Sequence, residues 1–330
     1  MRQERIYKVR TIAFYNVENL FDTINDPLTF DDDRTPLGKD VWTSARYREK
    51  IRKMAKVISS IGADVTHTSP DILGLCEIEN RKVVEDLISD PNLRDKGYGI
   101  VHYDSPDRRG IDVALLYKES AFIPTSSKSH RLLIHDDDME RKYTRDQLVV
   151  SGYMDGEPIH FLVNHWPSRS GGEARSRPHR MAAAELNKRI IDSLRRREVD
   201  AKIIGMGDFN DDPSSPSLKK ILGTKDKKKA VEKGGLYNAM AVFYRKGEGT
   251  LAYRDQWNVF DQLYLSEALL GPLGERYRFW KANIFRPAYL TTQSGPYKGY
   301  PYRTYAGGSH TGGYSDHYPV YLHLIRSHTD

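Results

Sequence analysis

The stretch QLVVSGYMDGEPIHFLVNH, residues 147–165, decides the fold. Two runs of β-forming residues, 147–154 and 157–165, flank Asp155-Gly156, a dipeptide suited to a tight hairpin turn. Antiparallel pairing is therefore present, and the chain is not a pure doubly wound parallel sheet. Working outward, apolar runs predict strands at residues 9–17, 71–77, 111–117, 202–207, 259–266 and 318–325. Thr43 or Ser44 can cap a helix with Tyr47, Ile51, Met54, Ile58 and Ile61 on one stripe, and Gly62 ends it. Pro178 is expected to open a helix running to about Arg197, and residues 214–222 a short one. Strands and helices alternate through most of the length, which points to an α/β or α+β class. Residues 223–258 read as an irregular surface excursion, and residues 295–313, rich in Gly, Tyr and Pro, as a long loop of the kind that often carries function.

Composition narrows the class. Of 330 residues, 38% are hydrophobic and 29% charged, so the chain reads as a globular protein with a polar surface. No run is long and apolar enough to span a membrane. The formal charge of +6 would favour a polyanionic partner, although such a charge also serves plain solubility. The single cysteine, Cys76, excludes an internal disulfide and a cysteine-built metal centre, and its apolar surroundings mark it as a core residue. The start, MRQERIYKVR, has no hydrophobic core of a signal peptide. Export after removal of a leader fits this sequence, with a cytoplasmic location as the alternative. A monomer is expected.

Polar residues of catalytic type recur where apolar strands end. Asn16 and Glu18 follow the first strand, Glu77 the second, His165 the hairpin, and Asp208 and Asn210 the strand at 202–207. Asp261 opens a late strand, and Asp316-His317 precedes the last. In layered α/β folds such ends converge. In Gly-Asp-Phe-Asn, residues 207–210, the acid and the amide share a face of an extended chain. Asp208 can orient water or a metal and Asn210 a phosphoryl oxygen, while the plain alternative is an Asp/Asn turn. His165, fixed before Trp166-Pro167, is a placed imidazole, and a partly buried structural histidine is its alternative. A carboxylate such as Glu77 at the end of a buried strand needs a partner or a cation. Glu79 competes with it but reads as a first-turn acid of the next helix.

Six motifs in order, from about Thr11 to Leu324, resemble the endonuclease/exonuclease/phosphatase superfamily: residues 14–19, residues 71–77, Asn164-His165, Gly-Asp-Phe-Asn, Asp261, and Ser-Asp-His at 315–317. Each is weak alone, and together they are specific. The resemblance implies an α+β fold, a four-layer sandwich of two packed mixed β-sheets with helices on the outer faces. It implies one domain over residues 1–330, with a core at about 9–326. It further implies a divalent cation, usually Mg2+ with Mn2+ or Ca2+ as alternatives, held chiefly by Glu77 with Asn16, Glu18 and Asp316 near it. His165 and His317 would flank the scissile phosphate, Asp261 would orient His317, and Asp208 and Asn210 would position water and phosphoryl oxygens. The general base stays open between Asp208 and the His317–Asp261 pair. His165 stands where apurinic-site endonucleases carry tyrosine, and residues 166–172 resemble bacterial extracellular nucleases of this superfamily.

The expected activity is therefore metal-dependent hydrolysis of a phosphodiester, foremost in DNA and then RNA. The alternative is a phosphatase or phosphodiesterase of a small or lipid phosphoester. Arg169, Arg175, Arg177 and Arg109 are the candidate phosphate contacts, because guanidinium forks match phosphate oxygens. Arg195, Arg196 and Arg197, late in a helix, instead complement its dipole.

Overall fold

The structure, a computed structural model, describes residues 6–136 and 139–328. Its main strands are β1 (Ile6–Leu20), β2 (Ile72–Ile78), β3 (Tyr98–His102), β4 (Asp112–Lys118), β5 (Phe122–His130), β6 (Gln147–Met154), β7 (Glu157–His165), β8 (Ile203–Asp208), β9 (Thr224–Lys225), β10 (Leu236–Asn238), β11 (Asp261–Ser266), β12 (Arg278–Ile284) and β13 (Val320–His328). One sheet has the order β12-β13-β1-β2-β4-β3, the other β9-β10-β11-β8-β7-β6-β5. Both are mixed: β1 runs parallel to β2, and β7 parallel to β8, within otherwise largely antiparallel ladders. The result is the α+β sandwich expected from the sequence.

The β6–β7 hairpin turns on Asp155 and Gly156, both at positive φ (48° and 84°), as a tight hairpin turn requires. Alternation then sorts the β7 side chains. Phe161 and Val163 enter the core between the sheets, while Leu162 enters a second core under the long helix α3. In β8, Ile204 and Met206 face inward and Ile203 outward. The same period aims His165 and Asp208 at the inter-sheet end. Gly207 is required by close approach, since a Cβ there would lie 2.4 Å from Asn164 O.

The longest helices among the described residues cover the sandwich: α1 (Ser44–Ser60), α2 (Arg81–Ser89) and α3 (Glu173–Arg197). Thr43 caps α1, its side chain accepting from Arg46 N–H. Buried Asn187 of α3 donates to Asn164 Oδ1 (2.7 Å) and Gln147 Oε1 (3.1 Å), locking the helix onto the second sheet.

Several expectations need correction. Helix α3 starts five residues before Pro178. Gly171 and Gly172, at φ 78° and 108°, let the chain turn in earlier, and Ser176 N–H bonds Gly172 O. Pro178 is left inside the helix, where it forgoes a backbone bond. Glu79 is not a first-turn acid: Asn80 caps α2, and Glu79 accepts from Asp22 N–H at 2.6 Å. The expected helix at 214–222 shrinks to one wide turn, Ser217–Ile221. Residues 223–258 are no mere excursion, because Leu236–Asn238 pairs with β11 inside the second sheet and is buried.

Candidate active site

The parallel pairs β1–β2 and β7–β8 end at one end of the sandwich, and their terminal side chains meet. Asn16 Nδ2 donates to Asp208 Oδ2 at 3.1 Å and to Glu77 Oε1 at 3.3 Å, bridging the sheets. His165 Nε2 lies 3.8 Å from both Glu77 Oε1 and Asp208 Oδ2, and its Nδ1 has no partner. His317 Nδ1 pairs with Asp261 Oδ2 at 2.7 Å, and its Nε2 points to Asp208 Oδ2 at 3.9 Å and Asp316 Oδ1 at 4.0 Å. Asn210 N–H bonds Asp208 Oδ1 at 2.9 Å, and the Asn210 amide donates to Trp166 O at 3.0 Å.

Reaching this arrangement takes backbone strain. Glu18, Asn19, Glu77 and Asn210 adopt positive φ of 49°, 52°, 61° and 50°. Such conformations cost non-glycine residues about 1–2 kcal/mol each. At Glu77 the reason is visible. Gly74 packs against Met206 of the opposite sheet, so strict alternation would point Cys76 inward and Glu77 away. The ladder is irregular at Glu77 on both sides, and Glu77 Oε2 accepts from Asn19 N–H at 3.0 Å.

Electrostatics divide the two imidazoles. Burial works against charge on His317, but the carboxylates of Asp261, Asp208 and Asp316 outweigh it and hold the ring protonated well above the usual histidine range. Burial, then the positive charges of Arg145, Arg109 and His317, keep His165 neutral. Burial, with the nearby charges of Asp261 and Glu77, pushes the Asp208 carboxyl up to about 7 against the pull of His317. Glu18 is likewise raised to about 7 by burial and Asp316.

Not every candidate joins the cluster. The Glu18 carboxylate turns toward Thr304 N–H (2.6 Å) and Arg303 Nε (3.4 Å), and Arg303 Nη2 also binds Asp316 Oδ2 at 3.0 Å. Arg169 is engaged by Asn210 O (2.9 Å) and stacks on Phe260, and Arg177 pairs with Glu173 on the exposed face of α3. Arg109 and Arg175 line a shared cavity beside the span that follows His165. Sequence reading missed Arg303 and Lys50. Buried Lys50 donates to Thr304 Oγ1 at 2.6 Å and lies within charge range of Glu18, Asp316 and Glu77. A lysine on the apolar stripe of α1, between Tyr47 and Ile51, was the available signal.

The donor set fits a hard divalent cation. Asp208 and Asp261 present carboxylate oxygens within 4.8 Å of each other, Asp261 Oδ1 is buried without a partner, and Glu77 and Asp316 add oxygens nearby. Asn16 faces Glu77 with its nitrogen, so its amide would have to turn to act as a ligand.

The chain belongs to the Endonuclease/Exonuclease/phosphatase family, whose model matches residues 11–326. No curated protein matches it in sequence. Among solved structures it is similar to D. rerio TDP2 complexed with a single-strand DNA product, at 14% identity and TM-score 0.56, covering 96% of this chain and 98% of that one. It is also similar to the Bacteroides thetaiotaomicron mannosyl-6-phosphatase, at 16% and 0.56, covering 96% and 99%. A family protein of the same organism gives 16% and 0.57, covering 98% and 97%. At these identities the likeness is one of fold.

Proposed function

We propose that this protein is a divalent-cation-dependent phosphodiesterase that cleaves nucleic acid, DNA foremost and RNA second, by in-line attack of water. The observation that carries the reading is that His165 Nε2 and His317 Nε2 lie 3.8 Å and 3.9 Å from the same Asp208 oxygen, in surroundings that favour the neutral form of the first ring and the charged form of the second. Groups whose surroundings drive their protonation apart are how one site supplies both acid and base at neutral pH. Asp208, raised to about 7, is suited to take the proton from water as its oxygen bonds to phosphorus and the bond to the leaving alcohol breaks. His317 supplies a proton to the departing oxygen through Nε2, while Asp261 occupies Nδ1 and fixes the ring. Neutral His165 hydrogen-bonds the phosphoryl group, and the amide of Asn210 holds the Trp166 backbone beside it.

Glu77, with Asp316 and a turned Asn16, would hold the cation, Mg2+ or in its place Mn2+ or Ca2+. Its contribution when bound is to neutralise charge on the phosphoryl oxygens. Glu18 acts one step removed, through Arg303. Of the candidate arginines, the setting of Arg109 and Arg175 supports contact with substrate better than that of Arg169 and Arg177.

The single-strand DNA product in one structural neighbour favours nucleic acid, and the phosphatase activity named for another keeps a phosphomonoester as the second reading. Plasmid DNA, RNA, bis(p-nitrophenyl) phosphate, inositol phosphates and mannose 6-phosphate, each with Mg2+ or Mn2+, separate them. Plasmid nicking abolished by chelator and by His165→Ala is the expected result. Phosphate released from monoesters alone would replace the proposal with the second reading, and turnover of none of them would sink both.

A further inference from the structure

Next to the catalytic end lies a cavity of about 470 Å3, into whose lining Arg109 and Arg175 fall. Its walls are the loop before β4, residues 140–145, Pro167 and Ser168, and the first turn of α3. Among the described residues six fixed cations line it, Arg108, Arg109, Arg141, Lys142, Arg145 and Arg175, against three carboxylates. One of those three, Asp107, is already engaged by Arg145 at 3.0 Å and Arg109 at 3.6 Å. The surplus is positive, and guanidinium forks are matched to phosphate oxygens.

A second observation points the same way. Arg145 is 5% exposed and Thr144 3%, yet Arg145 Nε and Thr144 Oγ1 have no hydrogen-bond partner, and neither has Arg141 Nε. Buried polar atoms are rarely left so. Arg141, Thr144 and Arg145, which carry these atoms, all line the cavity. Helix α3, 25 residues long, adds the positive end of its dipole at Gly171 and Ser176.

The cavity is tied to the site. Pro167 and Ser168 continue directly from His165, and Arg145 Nη2 holds Trp166 O at 2.7 Å. Three residues of chain reach at most about 11 Å, a distance that one or two nucleotide units bridge.

We infer that this cavity is an anion subsite for a second phosphate of the substrate, carried on the same strand as the scissile group. The preferred substrate class is then a polynucleotide rather than the monoester of a small sugar. The inference rests on the hydrolase reading and sharpens it.

The test compares kcat/KM on a single-stranded oligonucleotide with kcat/KM on bis(p-nitrophenyl) phosphate, a diester with one phosphorus. It uses the full chain, its Arg141→Ala variant and the more exposed Lys142→Ala, with circular dichroism to verify folding. The ratio of oligonucleotide to small-diester specificity should fall about three- to tenfold in each folded variant. The salt dependence of oligonucleotide KM should weaken by about one released ion. An unmoved ratio in a folded variant overturns the subsite while leaving the hydrolase reading intact. Absence of turnover of both substrates by the unaltered protein overturns the hydrolase reading itself.

Discussion

Where β1, β2, β7 and β8 begin, carboxylates are matched by arginine and lysine; where the same strands end, Glu77 and Asp208 meet only amides, backbone N–H groups and imidazoles. At the first end Asp155 accepts from Arg10 Nε (2.8 Å), Arg10 Nη2 (2.7 Å), Tyr277 Oη (2.7 Å) and Lys8. Asp71 takes Arg10 Nη1 at 2.8 Å, and Glu157 takes Tyr277 N–H at 2.9 Å along with Lys202. Burial opposes the charge on Asp155, but those donors hold its carboxyl well below the usual range. At the other end Asp208 and Glu18, more deeply buried and without such a cluster of cations, rise to about 7. One end spends its charges on holding the fold together, and the other keeps them available for a cation and a phosphate.

The largest expected effect separates the ends by activity. Asp208→Asn and His165→Ala should each lower turnover of bis(p-nitrophenyl) phosphate by about 10²–10⁴. Asp208→Asn should leave the melting temperature unchanged or raised, because it removes a buried charge in tension with its neighbours. A steep fall in melting temperature at Asp208 would break the contrast. At the opposite end Asp155→Ala should cost roughly 3 kcal/mol in urea denaturation, since it strands Arg10 and Lys8. Turnover per folded molecule should stay the same there.

The pH response gives the next effect, with opposite signs at the two ends. Asp208 has a folded pKa raised from 3.8 to about 7, so between those values the unfolded chain has lost a proton that the folded chain keeps. Stability therefore falls as pH rises from about 4 to 7 in chelator. Asp155 is depressed, so its contribution is full above 3.8 and is lost as pH falls further. Denaturation midpoints of the unaltered protein minus those of Asp208→Asn should decline over pH 4–7 in chelator, and added Mg2+ should abolish the decline. A flat difference would mean that Asp208 is not held protonated by burial.

Much of this contrast was legible in the sequence. Apolar runs announced the main strands, and Asp155-Gly156 the hairpin. The polar residues that the structure gathers, Asn16, Glu77, His165, Asp208, Asp261 and His317, all stood at strand ends. What escaped was long-range or short. Arg303 reaches Glu18 across 285 residues, and no local period encodes such a pair. The three residues of β10 are too few to show alternation, and the turn at Gly171-Gly172 overrode the cue from Pro178. The arginines after His165 read alike in sequence, yet buried Arg180 binds Asp211 at 2.7 Å and Arg169 holds Asn210 O. Burial sorted them, and burial is a tertiary property.

The smallest expected effect tests that sorting. Arg177 follows Arg175 by two residues, so the two point to different sides of α3. Arg177 pairs with Glu173 one turn back, and their side chains are 46% and 40% exposed. Such a pair contributes little and is screened by salt. Arg177→Ala should therefore leave the melting temperature, small-diester turnover and oligonucleotide KM within error of the unaltered protein, at low and at moderate salt alike. If instead oligonucleotide KM rises as far as in Arg141→Ala, nucleic acid runs over the outer face of α3. The functional charge would then extend beyond the cavity, and the division between paired and available charge would have to be redrawn along that helix.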